Sequence, residues 1–300
     1  MKILPFARLL RLPNVFTAFA DILLGTLVAG SWAICAGASL ALVAASGCLY
    51  LAGMVWNDFF DYEEDKRDRP FRPLPSGQIT RSTARWLGIV LLLGGLIFAG
   101  MAGIRNDGWN AWPLSIAVVL VGAILVYDAW LKRTPVGPIV MGSCRLLNVL
   151  LGLSLAAVAD VPWLLRWHLA AIVGTYITGI TWFARQEAGK SDSLQLKAAA
   201  AVMAIALALA VAAPLHRTPG QVTVAYPYLI VLFVILLAPA VIRAIRKPVP
   251  THVQAAVKFS ILGLIVLDAI LASAFVGTWS AMILILLPPA LLLGKWVYST

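Results

Sequence analysis

Long apolar runs alternate with short polar segments along the whole chain. A membrane-crossing helix needs roughly 20 mostly apolar residues, and runs of about that length recur from one end to the other. Predicted helices fall at 14–31, 37–56, 83–104, 112–131, 139–158, 164–184, 198–214, 224–243 and 257–276. A tenth run, 280–296, contains the paired Pro288 and Pro289. The pattern predicts one all-α integral membrane domain over 1–300, with nine transmembrane helices, or ten.

Composition agrees with this pattern and limits the kinds of binding partner that the protein can have. The mean hydropathy is +0.92 and 12% of residues are charged, whereas soluble domains carry about a quarter charged residues. The net charge of +10 could suggest nucleic acid. These charges lie at the ends of predicted helices, however, where anionic lipid head groups attract them. We therefore expect the lipid bilayer as a partner and no nucleic acid.

The distribution of basic residues predicts the orientation, because cytoplasmic loops retain Lys and Arg. With the N-terminus inside, nineteen basic residues are cytoplasmic, and only Arg105, Arg166 and Arg217 lie on the other side. The longer polar loops are then cytoplasmic too, in what we expect to be a bacterial inner membrane. His168, His216 and His252 are isolated in the sequence, and they show no metal-ligand spacing.

Acidic residues are concentrated in one short segment. Six of the 13 in the chain fall within 58–68, directly after the second predicted helix. If that helix continues, Asp58, Asp61 and Asp65 share one face. Three neighbouring carboxylates repel one another unless a cation joins them, and Mg²⁺ is usually held by one or two carboxylates together with substrate phosphates. A ligand with a diphosphate head and a hydrocarbon tail, such as a prenyl diphosphate, fits this position. The alternative is a solvated acidic loop.

A family resemblance supports the first of these interpretations. The pattern Asn57-Asp58-x-x-Asp61-x-x-x-Asp65, followed by 69–77 in the form Arg-Pro-x-Arg-Pro-Leu-Pro-Ser-Gly, resembles the first Asp-rich motif of the UbiA superfamily of intramembrane prenyltransferases. The pattern Arg-x-Pro-Asn-x-x-Thr at 11–17 is also similar to that family. The resemblance implies a helical bundle around a central cavity, with Mg²⁺ and diphosphate at a cytoplasmic cap.

The resemblance also implies roles for individual residues. Asp58, Asp61 and Asp65 would hold Mg²⁺ and act with Lys132 and Arg133 in catalysis. The implied substrate-binding residues are Asn14, Asn57, Arg72, Tyr127, Arg145, Asn148, Arg185, Glu187 and Asp192. An ordinary positive-inside anchor is an equally good interpretation of Lys132 and Arg133.

The second Asp-rich motif departs from the family pattern. Where a second aspartate pair is expected, after the sixth predicted helix, only Glu187 and Asp192 are acidic, and their separation places them on different helix faces. Arg185 or Lys190 could supply a fixed cation in place of a second Mg²⁺. This departure, with features including Arg145 and Asn148, resembles a subgroup of UbiA-like proteins of bacterial ebo clusters. Arg145 lies within a predicted helix, where a charged residue usually faces a cavity.

The predicted function is Mg²⁺-dependent transfer of a prenyl group to a lipophilic acceptor through an aromatic ring or a hydroxyl. Two other classes fit less well. A secondary transporter binds near the bilayer midplane, whereas this polar cluster lies at a helix end. A prenyl-lipid-binding protein with little or no turnover is favoured only by the altered second motif.

Overall fold

A computed structural model describes residues 3–105, 108–185, 192–216 and 222–298, and within them the protein is almost entirely helical. The α-helices are α1 (Ile3–Leu9), α2 (Val15–Val28), α3 (Ser31–Ile34), α4 (Ala36–Phe60), α5 (Tyr62–Asp68), α6 (Arg81–Ala102), α7 (Trp112–Val126), α8 (Gly137–Gly152), α9 (Trp163–Ala184), α10 (Ser193–Ala212), α11 (Tyr226–Arg246), α12 (Pro250–Val276) and α13 (Leu287–Tyr298).

Shorter elements join these helices. Strands β1 (Ile104–Arg105) and β2 (Gly108–Trp109) pair antiparallel between α6 and α7. A π-helix over Tyr127–Leu131 extends α7, and 3₁₀ turns cover Leu12–Asn14, Leu153–Leu155, Ala213–His216 and Gly277–Leu286.

Seven helical segments of the described chain are long and apolar enough to cross a membrane, and an eighth arises if the bent α1–α2 pair counts as one. Helix α9 has 22 residues, but Arg166, His168 and several Thr and Trp residues lower its apolar content. Each of the first nine predicted runs overlaps a helix. The tenth divides between a 3₁₀ turn and α13. The membrane-spanning helical architecture is thus established, while the count of nine or ten spans stays a prediction.

Glycines allow the central helices to approach closely. A Cβ on Gly25 of α2 would lie 2.5 Å from the carbonyl carbon of Gly152 in α8, and one on Gly142 of α8 would lie 2.4 Å from the carbonyl oxygen of Gly174 in α9. Small residues of this kind permit backbone contact between membrane helices. The Gly25–Gly152 crossing fixes α2 against α8 one turn away from the buried polar residues described below.

The segment between α5 and α6 folds back onto the end of the bundle. Its Leu74 and Ile79 are buried in a small core with Leu9, Val55 and Ala84. Its prolines prevent a continuous helix, and Thr80 begins α6 by accepting a hydrogen bond from the amide of Thr83. The apolar residues thus hold a loop over the helix ends that carry the acidic cluster. In contrast, α6 and α11 expose rows of large apolar side chains, which suits contact with lipid.

Candidate active site

Three aspartates, Asp58, Asp61 and Asp65, form what we call the aspartate cluster. The second predicted helix continues past residue 56 to Phe60, and Asp61 then separates α4 from α5 with φ −83° and ψ 1°. Asp58 and Asp65 are almost fully buried and Asp61 is partly exposed. Within the residues that the structure describes, no three His, Cys, Asp or Glu side chains approach closely enough to hold a metal ion. In this structure each of the three carboxylates contacts basic side chains instead.

Two arginines hold the buried members of the cluster. Nη1 of Arg72 lies 2.7 Å from Oδ2 of Asp65 and 3.5 Å from Oδ1 of Asp58. Nη2 of Arg11 donates to Oδ1 of Asp58 at 3.2 Å and approaches Oδ1 of Asn57 at 3.5 Å. Arg11 has the left-handed conformation, with φ 45°, which an L-residue adopts only at a cost of roughly 1–2 kcal/mol. The bend between α1 and α2 thus aims this side chain at the cluster.

Two further cations bind the third aspartate. Nζ of Lys132 lies 2.6 Å from Oδ1 of Asp61, and Nη2 of Arg133 lies 2.8 Å from the same oxygen and 2.6 Å from Glu64. Both basic residues follow the π-helix that ends α7. Nη2 of Arg185 in turn donates to the backbone carbonyls of Lys132 and Thr134. Lys132 and Arg133 therefore contact the aspartate cluster directly, and Arg185 holds the loop that carries them.

The cluster is compatible with Mg²⁺ by the number of its carboxylates. Asp58 and Asp65 meet at one Arg72 nitrogen, so two carboxylates already surround a single cation. Mg²⁺ requires one or two carboxylates when phosphate oxygens and water complete its shell. Asn57 lies beside them and offers an amide oxygen. These are the residues that would hold the ion.

Next to the cluster lies a cavity of about 150 Å³. Asn57, Tyr127 and Asp128 form its polar mouth, where the Asn57 amide donates to Oδ1 of Asp128 at 3.1 Å. Its middle is apolar and is lined by Leu49, Gly53, Leu120, Ile124 and Met141. Wall residues of α4 recur at spacings of three and four, which keeps them on one helix face. Because its middle is apolar, the cavity can exclude water from a molecule that enters it beside the aspartate cluster.

The inner end of the cavity is polar again. Arg145 and Asn148 lie in its wall on one face of α8, together with Ser46 and Tyr50 of α4. Nη1 of Arg145 and Nδ2 of Asn148 donate to the same Oδ2 of Asp21, at 2.8 and 2.9 Å. Asn148 also accepts from the hydroxyl of Ser46 at 2.8 Å. We call Asp21, Arg145, Asn148, Ser46 and Tyr50 the inner polar cluster.

The remaining predicted residues lie elsewhere or outside the description. Asn14 lines two grooves, of about 510 and 430 Å³, rather than this cavity. Asp192 accepts from the amide of Leu194 at 2.8 Å and so caps α10. Glu187 lies outside the described residues, as does Lys190.

Several site residues had no role assigned from the sequence. Arg11, Asp128, Ser46 and Tyr50 all line the cavity. Arg11 begins the family-like pattern at 11–17, whereas Ser46 and Tyr50 lie in an otherwise ordinary apolar stretch. The sequence does give a reason to expect a functional role for Asp128, because it is an acidic residue inside an apolar run. Asp21 carried the same signal.

The fold and the site define a class of protein: a helical membrane bundle whose acidic and basic cluster opens into an apolar cavity. Comparison with known proteins gives the family. A model of the UbiA prenyltransferase family matches residues 14–262, and the chain belongs to that family.

Among curated relatives, a digeranylgeranylglyceryl phosphate synthase of Saccharolobus solfataricus is 29% identical over 179 residues, covering 59% of this chain and 60% of the relative. One from Thermococcus kodakarensis is 36% identical over 103 residues, or 34% of each chain. The chain thus matches only part of the length of these relatives.

Solved structures support the fold over a larger share of the chain. A structure from work on the biosynthesis of digeranylgeranylglyceryl phosphate synthase in membranes superposes with a TM-score of 0.66 at 22% identity, covering 91% of this chain and 98% of that one. A UbiA homologue from Archaeoglobus fulgidus, bound to DMAPP and Mg²⁺, gives a TM-score of 0.54 at 14% identity, covering 88% and 99%.

Proposed function

We propose that this protein transfers a prenyl group from a prenyl diphosphate to a lipophilic acceptor within the membrane. The proposal depends mainly on the position of the aspartate cluster and its four cations beside a largely apolar cavity, whose wall includes Arg11 and Asn57. A charged diphosphate fits the mouth, and the apolar wall fits a lipophilic substrate. Family membership and the solved homologue bound to DMAPP and Mg²⁺ support the same conclusion.

In the proposed reaction the allylic C–O bond of the donor breaks and the diphosphate leaves with both electrons. Arg11, Arg72, Lys132 and Arg133 lie where they can neutralise the charge that grows on it. When bound by Asp58, Asp65 and Asn57, Mg²⁺ would supply Lewis-acid stabilisation of the same charge. The apolar wall keeps water from the allylic cation. An acceptor ring or hydroxyl then forms the new bond and loses its proton.

Finer features belong to the same proposal. They are the cytoplasmic position of the cluster, a bacterial inner membrane, and the likeness to the ebo-cluster subgroup. The curated relatives are named as synthases of a glyceryl phosphate lipid, which makes a hydroxyl-bearing lipid one acceptor to test beside aromatic compounds.

The first experiment measures thermal stabilisation of detergent-purified protein by C10, C15 and C20 prenyl thiodiphosphates, with and without Mg²⁺. We expect stabilisation that requires Mg²⁺ and is lost in Asp58→Asn. Glu63→Gln is the matched control, because Glu63 is exposed and its nearest cation, Arg81, is 3.7 Å away. Folded protein that responds to no donor would refute the proposal.

A second function is favoured by one observation: where the family pattern has a second aspartate pair, the side chain of Asp192 caps α10 by accepting from the amide of Leu194. The chain could then bind a prenyl diphosphate with little or no turnover. Product formation with any supplied acceptor excludes this alternative. Donor binding with no product across aromatic, quinone and glyceryl lipid acceptors would support it.

A further inference from the structure

The inner polar cluster has hydrogen-bonding capacity that its protein contacts leave unused. Arg145 carries five N–H groups, and its contacts among the described residues are to Oδ2 of Asp21 and Oγ1 of Thr17. The Tyr50 ring lies under the guanidinium, 5.3 Å from ring centroid to Cζ. No hydrogen bond involves the Tyr50 hydroxyl within the described part of the chain. Both side chains line the cavity, so unused donors face its inner end.

A hydrocarbon does not match this end of the cavity. A prenyl tail placed against Arg145 and Tyr50 would remove water from their polar groups and offer no hydrogen bond in return, which is unfavourable. The diphosphate head of the donor belongs at the other end, beside the aspartate cluster. An occupant that suits the whole cavity therefore carries an oxygen at its inner end and is not the donor.

The charges nearby indicate what kind of oxygen it is. Asp21 already neutralises Arg145 at 2.8 Å. Behind it lies Asp268, fully buried, whose two carboxyl oxygens have no amide, amine or hydroxyl donor among the described residues. An anion would bring a further negative charge into an apolar interior that holds two carboxyl groups and one guanidinium. A neutral carbonyl or hydroxyl oxygen accepts the same hydrogen bonds without that charge.

The length of the ligand can be worked out from the spacing of the cavity-lining residues along α4. Tyr50 and Asn57 are seven residues apart on the helix face that lines the cavity, which is about 10 Å along the axis. A molecule that reaches both ends can present its nucleophilic atom at the mouth while its far oxygen contacts Arg145.

We propose that Arg145 and Tyr50 form an acceptor-specificity subsite that binds a neutral carbonyl or hydroxyl oxygen of a lipophilic acceptor about 10 Å long. This proposal rests on the proposed function for the position of the donor. It assigns the inner end of the cavity to the acceptor and leaves the donor's diphosphate at the aspartate cluster.

The test uses three compounds of similar shape: 2-naphthol, 2-methylnaphthalene and 2-naphthoate. Their binding is measured by thermal shift on full-length protein that already holds Mg²⁺ and geranyl thiodiphosphate. We expect 2-naphthol to bind about tenfold more tightly than either of the others, since one hydrogen bond to a charged group corresponds to roughly that ratio. Tyr50→Phe should reduce the ratio and Arg145→Gln should abolish it.

Tyr176→Phe is the matched control, because the Tyr176 hydroxyl is buried elsewhere and donates to the carbonyl of Ser260. Equal binding of the three compounds, a preference for 2-naphthoate, no binding of 2-naphthol, or a ratio that survives both variants would overturn the proposal. Tyr50→Phe removes a single oxygen, so it tests the subsite even if Arg145→Gln fails to fold.

A last variant distinguishes acceptor binding in the cavity from donor binding at the aspartate cluster. A Cβ on Gly53 would contact Ile124 at an ordinary 3.4 Å, so Gly53→Leu should extend into the middle of the cavity. We expect it to lose 2-naphthol binding and to keep Mg²⁺-dependent donor binding. Loss of donor binding instead would overturn the assignment of the cavity to the acceptor. Absence of donor binding in the unmodified protein would count against the proposed function itself.

Discussion

Arg72 and Arg133 both bind aspartates, but the structure predicts very different effects on stability when each is replaced by Gln. Arg72 contacts the carboxylates of Asp58 and Asp65, whose side chains are 6% and 5% exposed. Removing one partner from a buried ion pair typically costs 3–5 kcal/mol, because the remaining charge stays buried without compensation. Arg72 is itself 21% exposed and Asp58 keeps Arg11, so we expect the low end, about 3 kcal/mol.

Arg133 is 62% exposed, and exposed ion pairs contribute about 0–1 kcal/mol. Asp61 also keeps Lys132 at 2.6 Å when Arg133 is removed. We therefore expect Arg133→Gln to reduce the free energy of unfolding by less than about 1 kcal/mol. At roughly 2–4 °C per kcal/mol, thermal unfolding in detergent should show a drop of about 6–12 °C for Arg72→Gln and under about 4 °C for Arg133→Gln.

Mg²⁺ gives this prediction a second measurement. With Arg72 absent, Asp58 and Asp65 have lost the cation that they share, and a divalent ion is its natural replacement. Millimolar Mg²⁺ should therefore restore more of the melting temperature in Arg72→Gln than in Arg133→Gln. Equal losses for the two variants, or no differential rescue, would refute the assignment of Arg72 as the cation between two buried carboxylates.

Three further changes test other parts of the site. Arg185→Ala should weaken donor binding several-fold in the thermal-shift assay, because the loop loses two hydrogen bonds of roughly 1–3 kcal/mol each; unchanged affinity would contradict this. Gly152→Ala should lower the melting temperature by overpacking, which costs about 1–3 kcal/mol, whereas Gly37→Ala, with open space around it, should not. Asp128→Leu leaves the Asn57 amide without its acceptor and should reduce donor affinity about tenfold, while Asp128→Asn keeps an acceptor oxygen and should lose less. A Leu variant that binds donor normally would show that this hydrogen bond does not orient Asn57.

Helix positions could be predicted well from the sequence, because in lipid the backbone must satisfy its hydrogen bonds internally and apolar length decides where helices form. The misjudged details depend on local geometry. The break between α4 and α5 at Asp61 changes the directions of the three carboxylates, and the sequence pattern at 57–68 does not predict this break. Arg11 could be recognised only as part of a family-like pattern, since its left-handed backbone is a property of the α1–α2 bend.

Contacts between distant helices could not be predicted in the same way. His168 and His216, isolated in the sequence, lie 2.7 Å apart between Nδ1 and Nε2 because α9 and α10 pack side by side. Arg145 and Asp21 are 124 positions apart and meet beside the Gly25–Gly152 crossing. Arg145 and Asp21 each carried a signal as a charged group in an apolar run, whereas the two histidines carried none. The identity of each partner did not follow from that signal.

The sequence by itself determined that this is a helical membrane protein, and the pattern at 57–77 indicated its family and the end of the site where we propose that the donor binds. Local composition is sufficient for both, because insertion depends on apolar length and diphosphate binding depends on a short charged motif. Only the tertiary structure decided which cation binds which aspartate, and that the cavity ends in a polar cluster. Those features depend on side chains from α2, α4, α8 and α12 meeting in space, and close helix packing at small residues, which no single segment encodes, brings them together.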